Sequence, residues 1–173
     1  MKKIVFILAI GMSFLSLTNS KIEALIQKEI KAYFDIENYT KQSLKVSQEI
    51  NETLPIQISS TNFFKIVSNN ELKGYYYFGQ AFGKADYFDF IVIFDESLVI
   101  SKVKILVYRE DHGGEIGSKR WLRQFSGKTK DKQLEYQKDI AAISGATISA
   151  KAMTTEINKL LKTINILYNN KQF

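Results

Sequence analysis

The feature that most constrains the fold is a set of four segments between residues 63 and 111. They read FFKIVSN, GYYYFGQAFG, YFDFIVIFDE and LVISKVKILVYRED, and they are rich in aromatic and β-branched residues. Polar or glycine-containing breaks separate them at Asn69-Asn70, at residues 83–86 and at residues 95–97. Such side chains suit the pleated surface of a sheet, and the breaks have the composition of turns. The sequence therefore predicts an antiparallel meander of about four strands.

Helical patterns lie on both sides of these strands. Apolar residues recur at steps of three and four in KIEALIQKEIKAYFD, from Lys21, and again after Thr147 at Met153, Ile157, Leu160, Leu161 and Ile164. This spacing places the apolar side chains on one face of a helix. Residues 40–54 are weakly patterned, and we expect them to be helical in part. The predicted fold class is α+β, with one antiparallel sheet flanked by the early helix and by the helix after Thr147.

The first twenty residues have the pattern of an export signal. Two lysines precede a fourteen-residue apolar run from Ile4 to Leu17, and the small residues Thr18 and Ser20 follow it. The run is shorter than the ~20 residues that cross a bilayer as a helix, which favours a cleaved peptide over a retained anchor. Either outcome places the rest of the chain outside the cytoplasm. We expect a signal peptide over residues 1–20 and a single folded domain after it. The first part of that domain is predicted to be an N-terminal helical segment over residues 21–60.

Charge and cysteine content argue against two classes of function. The chain has 24 basic and 18 acidic residues, and its lysines are interleaved with acids along the whole sequence. A nucleic-acid-binding protein usually concentrates its basic residues on one element, so no nucleic-acid partner is predicted. The sequence contains no cysteine and one histidine, His112, so we expect neither a disulfide nor a metal site.

The stretch AAISGATISAKAMTTEINK, residues 141–159, places a small polar turn directly before the C-terminal helix. Ser144, Thr147 and Ser149 each carry a short side-chain oxygen that can cap a helix. The free amides at a helix start also favour a phosphate group, and Gly145 and Ala146 keep the approach free of bulk. The residues alone leave both interpretations open, an ordinary cap and a phosphate site.

The segment REDHGGEIGSKRWLRQFSGK, residues 109–128, is the other stretch with candidate functional residues. Its glycines at 113, 114 and 117 allow a tight turn or a close approach to another group. Trp121, Leu122 and Phe125 have helical spacing, which is more typical of a core than of a cofactor site. By themselves these residues identify no function.

The segment ISGATISAKAMT resembles the signature of the FMN-binding domain family, which includes extracytoplasmic flavin subunits of the Rnf and Na⁺-translocating NADH:quinone oxidoreductase complexes. The resemblance is close over residues 140–155 and looser over residues 70–165, and it suggests an FMN-binding domain at residues 61–168. It implies that Thr147 carries FMN through a phosphoester bond, with Ser144, Gly145 and Ala146 shaping the turn. A flavin transferase that uses FAD as the donor would install the cofactor.

The resemblance also suggests residues around the flavin. Gly114, Glu115 and Gly117 correspond to a glycine-containing loop that follows the strands in the family. Trp121, Tyr108 and Phe125 are candidates for the surface that contacts the flavin ring. The implied function is an exported electron carrier, periplasmic or membrane-associated, that exchanges electrons with membrane or periplasmic redox proteins and has no catalytic residues of its own.

Two other functions remain open. Where the family usually has an aspartate, six positions before the attachment threonine, this chain has Ala141, with Asp139 two residues earlier. That departure supports a module of the same fold that binds a phosphate or a peptide without flavin. A small flavin-dependent reductase is the second alternative, although the sequence shows no paired carboxylates or nucleophile–base pair for a substrate pocket.

Overall fold

The computed structural model describes residues 20–173, so the predicted signal peptide lies almost entirely outside the described residues. Two compact units divide the chain, Met1–Glu37 and Asn38–Phe173. In the first unit, residues 20–34 are helical within the described part, as the spacing of their apolar residues predicts, and we name this helix α1.

The second unit contains a five-stranded antiparallel sheet in the order β1-β2-β3-β4-β5. The strands are β1 (Thr40–Ser43), β2 (Phe63–Ser68), β3 (Glu71–Phe82), β4 (Tyr87–Phe94) and β5 (Ile100–Val107). Its helices are α2 (Gln48–Asn51), α3 (Lys119–Leu122) and α4 (Thr147–Asn169), with 3₁₀ turns at Gly114–Gly117 and Arg123–Phe125. The α+β class, the meander and the helix that begins at Thr147 are confirmed.

The turns between the strands lie where the sequence predicts them. Asn69 and Asn70 both have positive φ, 55° and 62°, the conformation of the two-residue turn that matches the twist of a hairpin. Asp95 holds the β4–β5 connection, because its Oδ1 accepts from the amides of Ser97 and Val99, both at 2.9 Å. Side-chain chemistry at the breaks thus fixes the register of the meander.

The structure adds one strand, β1, within the segment that we expected to be partly helical. Its sequence, TKQS, is polar, and the strand forms by pairing with β2, with Thr40 opposite Val67 and Ser43 opposite Phe64. A short edge strand of this kind has no hydrophobic alternation, so its pattern does not distinguish it from a loop. The helical expectation holds only for α2.

One face of the sheet and α4 share the hydrophobic core of the second unit. Phe63, Tyr77, Phe90 and Val92 lie in one buried cluster with Met153, Ile157, Leu160 and Leu161 of α4. The long connection from β5 to α4 is fastened to this helix by Asn158, whose side-chain amide exchanges two hydrogen bonds of 2.8 Å with the backbone of Leu134. These two bonds hold the middle of the connection against α4. Among residues 20–173, no helix is long and apolar enough to span a membrane.

Candidate functional site

The candidate site is built around residues 144–147, which we call the SGAT turn. Ala146 is the N-cap of α4, with φ −125° and ψ 29°, and no side chain caps the helix. The first helical hydrogen bond is from the Ala150 amide to the Ala146 carbonyl, at 2.8 Å. Of the two interpretations left open, the ordinary cap is therefore wrong, since none of Ser144, Thr147 and Ser149 caps the helix. Since the residue at the N-cap has no side-chain oxygen, the amides of the first turn keep their donors available.

Thr147 and Ser144 are both exposed on the SGAT turn. Thr147 is the first residue of α4, so its hydroxyl lies beside the free amides and the positive end of the helix dipole. Gly145 bends the turn with φ +82°, a left-handed conformation that side chains rarely adopt. The turn thus brings together a hydroxyl and several amide donors, the arrangement that suits a phosphate.

The loop of residues 112–117, which we call the glycine loop, packs against the SGAT turn. Gly113 has φ +88°, and a Cβ at this position would lie 2.6 Å from the Tyr108 hydroxyl and 3.4 Å from the Gly145 carbonyl oxygen. A Cβ at Gly145 would lie 3.2 Å from Oε2 of Glu115. The loop and the turn therefore lie in contact, and the structure places the Glu115 carboxylate beside Gly145.

Gly114 and Gly117 lie on the same loop but approach nothing closely. A Cβ added at either position would meet no atom within 4 Å. Gly113, which the sequence suggested for a tight turn or close approach but which was not among the residues suggested around the flavin, is the glycine that makes the contact. Its signal in the sequence was the GG pair, and the sequence alone does not tell which of the two has positive φ.

A chain of hydroxyl hydrogen bonds fastens the glycine loop to α4. The Tyr108 hydroxyl donates to the His112 carbonyl at 2.9 Å and lies 3.0 Å from the Ser149 hydroxyl. Because a phenol has one proton, Ser149 is the donor to Tyr108. Burial raises the pKa of Tyr108, and the nearby carboxylates of Glu110 and Glu115 raise it further, against the lowering effect of the bond from Ser149. The phenol therefore stays protonated and remains a donor.

Glu110 binds the turn of the β3–β4 hairpin. Its Oε1 accepts from the amides of Ala85 at 2.9 Å and Asp86 at 3.2 Å. These backbone donors, that of Ala85 above all, lower the pKa of the Glu110 carboxyl. A Cβ at Gly83 would lie 3.2 Å from the Ser149 hydroxyl, so the tip of the hairpin lies beside the start of α4.

A small cavity of about 270 Å³ opens on this side of the SGAT turn. The turn and the start of α4 form one wall, and Tyr108, Glu110, His112 and Lys84 contribute to the rest. Ile148, the residue after Thr147, is 50% exposed and lines it. Phe82 and Tyr87 flank the hairpin tip as an exposed edge-to-face pair, with ring centroids 5.0 Å apart. Apolar surface is thus available close to Thr147.

Trp121 lies on the opposite side of the SGAT turn and is nearly buried. Its indole Nε1 donates to the Ala141 carbonyl at 2.7 Å, and the Ala141 amide donates to Oε1 of Gln124 at 2.8 Å. The indole packs edge-to-face on Phe125. Phe125 is fully buried, so the expectation that it contacts a flavin ring is wrong. Asp139 binds the amide of Glu135 at 2.8 Å and so holds a local turn.

The predicted residues thus form two groups. Gly145, Ala146 and Thr147 line the cavity, with Glu115 beside Gly145. Ser144 and Trp121 line an open groove on the other side of the turn. Tyr108, previously a candidate for ring contact only, and Ser149, previously a candidate cap, together hold the loop to the helix.

Two comparisons with known proteins found a match. Residues 83–162 match the model of a protein family described as the FMN-binding domain. The chain also resembles the crystal structure of NqrC from Shewanella oneidensis, with a TM-score of 0.51 and 16% sequence identity. That match covers 76% of this chain and 68% of the NqrC chain, and at this identity it shows a shared fold. No protein with a curated description matches the sequence.

Proposed function

Because the chain contains an FMN-binding domain over residues 83–162, we propose that it is an electron-transfer flavoprotein that carries FMN covalently through a phosphoester at Thr147. The observation that carries this proposal is the uncapped start of α4 with the exposed Thr147 hydroxyl as its first residue. A helix start is an anion site, and here it includes the group that would bond to the phosphorus.

The residues on the cavity side fit the phosphate end of FMN. The amides of the first turn of α4 have no side-chain cap, and Gly145 leaves no side chain over the turn. The cavity, about 270 Å³, is below the usual size of a site for a whole cofactor, which is about 300–1,000 Å³. It would therefore hold the phosphate and its sugar chain, with the ring on the exposed surface around Ile148.

Attachment is the transfer of the FMN half of FAD to the Thr147 oxygen. The Thr147 oxygen forms a bond to the phosphorus of the FMN half of FAD, and the bond between the two phosphates of FAD breaks. AMP leaves with that electron pair, and the hydroxyl proton passes to a base that the flavin transferase supplies. Amide donors at the helix start would orient the phosphate oxygens and stabilise their charge.

When bound, FMN supplies the capacity to accept and release electrons singly or in pairs. The work of the chain is to hold the cofactor and to set its surroundings. Glu115 beside Gly145 and Tyr108 behind Gly113 would keep the SGAT turn and the glycine loop in one conformation. A covalent bond prevents loss of FMN by dissociation, which matters outside the cytoplasm, where replacement FMN is scarce.

The proposal extends to location and partners. The apolar run at residues 4–17 supports export, as a periplasmic or membrane-associated protein. Flavin transferase is the proposed partner in maturation, and membrane or periplasmic redox proteins are the proposed electron donors and acceptors. The fold shared with an NqrC supports this assignment. Spheroplast fractionation should recover the mature chain outside the cytoplasm, and cytoplasmic recovery of the full-length chain would contradict the export.

Co-expression with a flavin transferase tests the attachment site. The wild-type protein should be yellow, its fluorescent band should survive denaturing electrophoresis, and its intact mass should increase by one FMN minus water. Thr147→Ala should lose the band. Thr155→Ala is the matched control, because Thr155 is an exposed threonine on the same helix, and it should keep the band.

Two results would contradict the proposal. A fluorescent band in Thr147→Ala would place the attachment elsewhere. A colourless wild-type protein under these conditions would favour the phosphate- or peptide-binding module.

A further inference from the structure

An open groove lies on the far side of the SGAT turn, where Ser144 lines it. It has a volume of about 650 Å³, and its walls are the segment of residues 118–124 and the segment of residues 141–144. Two arginines, Arg120 and Arg123, line it, and we call it the arginine groove. Ser144 and Trp121 line it too, but Arg120, Arg123 and Ala142 have no role in the FMN site proposed above.

The two arginines carry charge that nothing in the groove balances. Arg120 and Arg123 are both exposed, and within residues 20–173 neither guanidinium has a described hydrogen bond or ion pair. No carboxylate is among the residues that line the groove. Three positions apart on consecutive helical turns, the arginines lie on one face. Guanidinium groups bind carboxylates with two parallel hydrogen bonds, so the groove favours an acidic occupant.

The opposite wall presents backbone to that occupant. Residues 141–143 belong to no helix or strand. Trp121 and Gln124 hold the segment only at Ala141, and the amide and carbonyl of Ala142 have no described partner in this part of the chain. A partner protein that binds a segment of main chain forms hydrogen bonds to free backbone groups of this kind.

The groove is continuous with the residue to be modified. Ser144 lines the groove and Gly145, the next residue, lines the cavity. Ser144 is three residues from Thr147, a span of at most about 10 Å. A protein that is docked in the groove is thereby held within reach of the Thr147 hydroxyl.

We propose that the arginine groove is the docking site for an acidic surface of the flavin transferase that loads Thr147. This inference rests on the proposed function. A redox partner in the same groove would instead change electron transfer and leave loading unchanged, and the experiment distinguishes the two. Charge complementarity between the groove and the transferase sets the affinity and the rate of encounter.

Binding and loading are measured on purified proteins. In a Thr147→Ala background, which binds the transferase without reacting, Arg120→Glu with Arg123→Glu should weaken the complex at least tenfold and reduce its salt dependence. In the reactive chain, the same pair should raise KM for the acceptor protein at least tenfold, with kcat changed less than twofold. The neutral pair Arg120→Gln with Arg123→Gln should shift both quantities in the same direction, but less.

A matched pair controls for net charge. Lys132→Glu with Lys162→Glu makes the same charge change at two exposed lysines outside the groove, and it should leave binding and KM within twofold of wild type. An unfolding curve for each variant establishes that it is folded.

The proposal is overturned if the arginine pair binds and is loaded like the wild type, or if it changes only electron transfer to a redox partner. Failure of the proposed function has a different signature, which is a wild-type chain that the transferase leaves without flavin.

Discussion

The two sides of the SGAT turn are constructed differently. On the cavity side, the glycine loop, the β3–β4 hairpin and α4 are fastened together by Tyr108, Glu110 and Ser149. On the groove side, side-chain hydrogen bonds hold the segment before the turn only at Ala141, and Arg120 and Arg123 have no described partner within residues 20–173. The cavity side is suited to holding a cofactor in one geometry, and the groove side is suited to recognition by a partner protein.

This difference has a physical basis in where polar groups find partners. A partly buried phenol or carboxylate stabilises the fold when backbone donors and acceptors satisfy it, as those near Tyr108 and Glu110 do. An exposed guanidinium is satisfied by water and adds little to stability until a partner replaces that water. Mutations should therefore alter stability on the cavity side and recognition on the groove side.

The largest expected effect on stability comes from Gly113→Ala. Gly113 has a positive φ that an alanine rarely adopts, and the new Cβ would lie 2.6 Å from the Tyr108 hydroxyl. To relieve this contact, the glycine loop would have to move away from the SGAT turn. We expect the free energy of unfolding to fall by about 3 kcal/mol, as strain and overpacking combine. Chemical denaturation measures it. Gly114→Ala is the matched control, with nothing within 4 Å of the added methyl, and it should stay within about 0.5 kcal/mol of wild type. Equal effects would show that the cavity side is not closely packed.

How much of this arrangement could be predicted depends on sequence separation. The strands β2–β5 and α4 have strong periodic patterns, and SGAT identified the turn. Contacts between distant residues had no local signal: Ser149 and Tyr108 are 41 residues apart. The N-cap was missed for a related reason, since three hydroxyl residues suggested a cap and the fold placed Ala146 there instead. Strand β1 was missed because only its pairing with β2 makes it a strand.

An intermediate effect is expected for Tyr108→Phe. The substitution keeps the ring and removes the hydroxyl that links His112 to Ser149. The free energy of unfolding should fall by about 1 kcal/mol, the usual net value of a hydrogen bond. Tyr87→Phe, at a half-exposed ring with no described side-chain hydrogen bond, should change it by less than about 0.5 kcal/mol. If both variants match the wild type in thermal and chemical denaturation, the hydroxyl chain does not fasten the loop.

The smallest effect is expected from Glu110→Gln, and it depends on pH. Because backbone amides lower the pKa of the folded carboxyl, its stabilisation is complete above the pKa of an unfolded glutamate, about 4.3, and is lost as the pH falls through the lower folded value. At pH 7 the variant should be less stable by under about 1 kcal/mol, a small value because the group is partly exposed. Unfolding curves from pH 7 to pH 2 should show the difference shrinking towards acid. A difference that stayed constant would mean that the carboxylate charge is not what fastens the hairpin. The hairpin would then be held by packing alone, and the contrast between the two sides of the SGAT turn would rest on Tyr108 and Gly113.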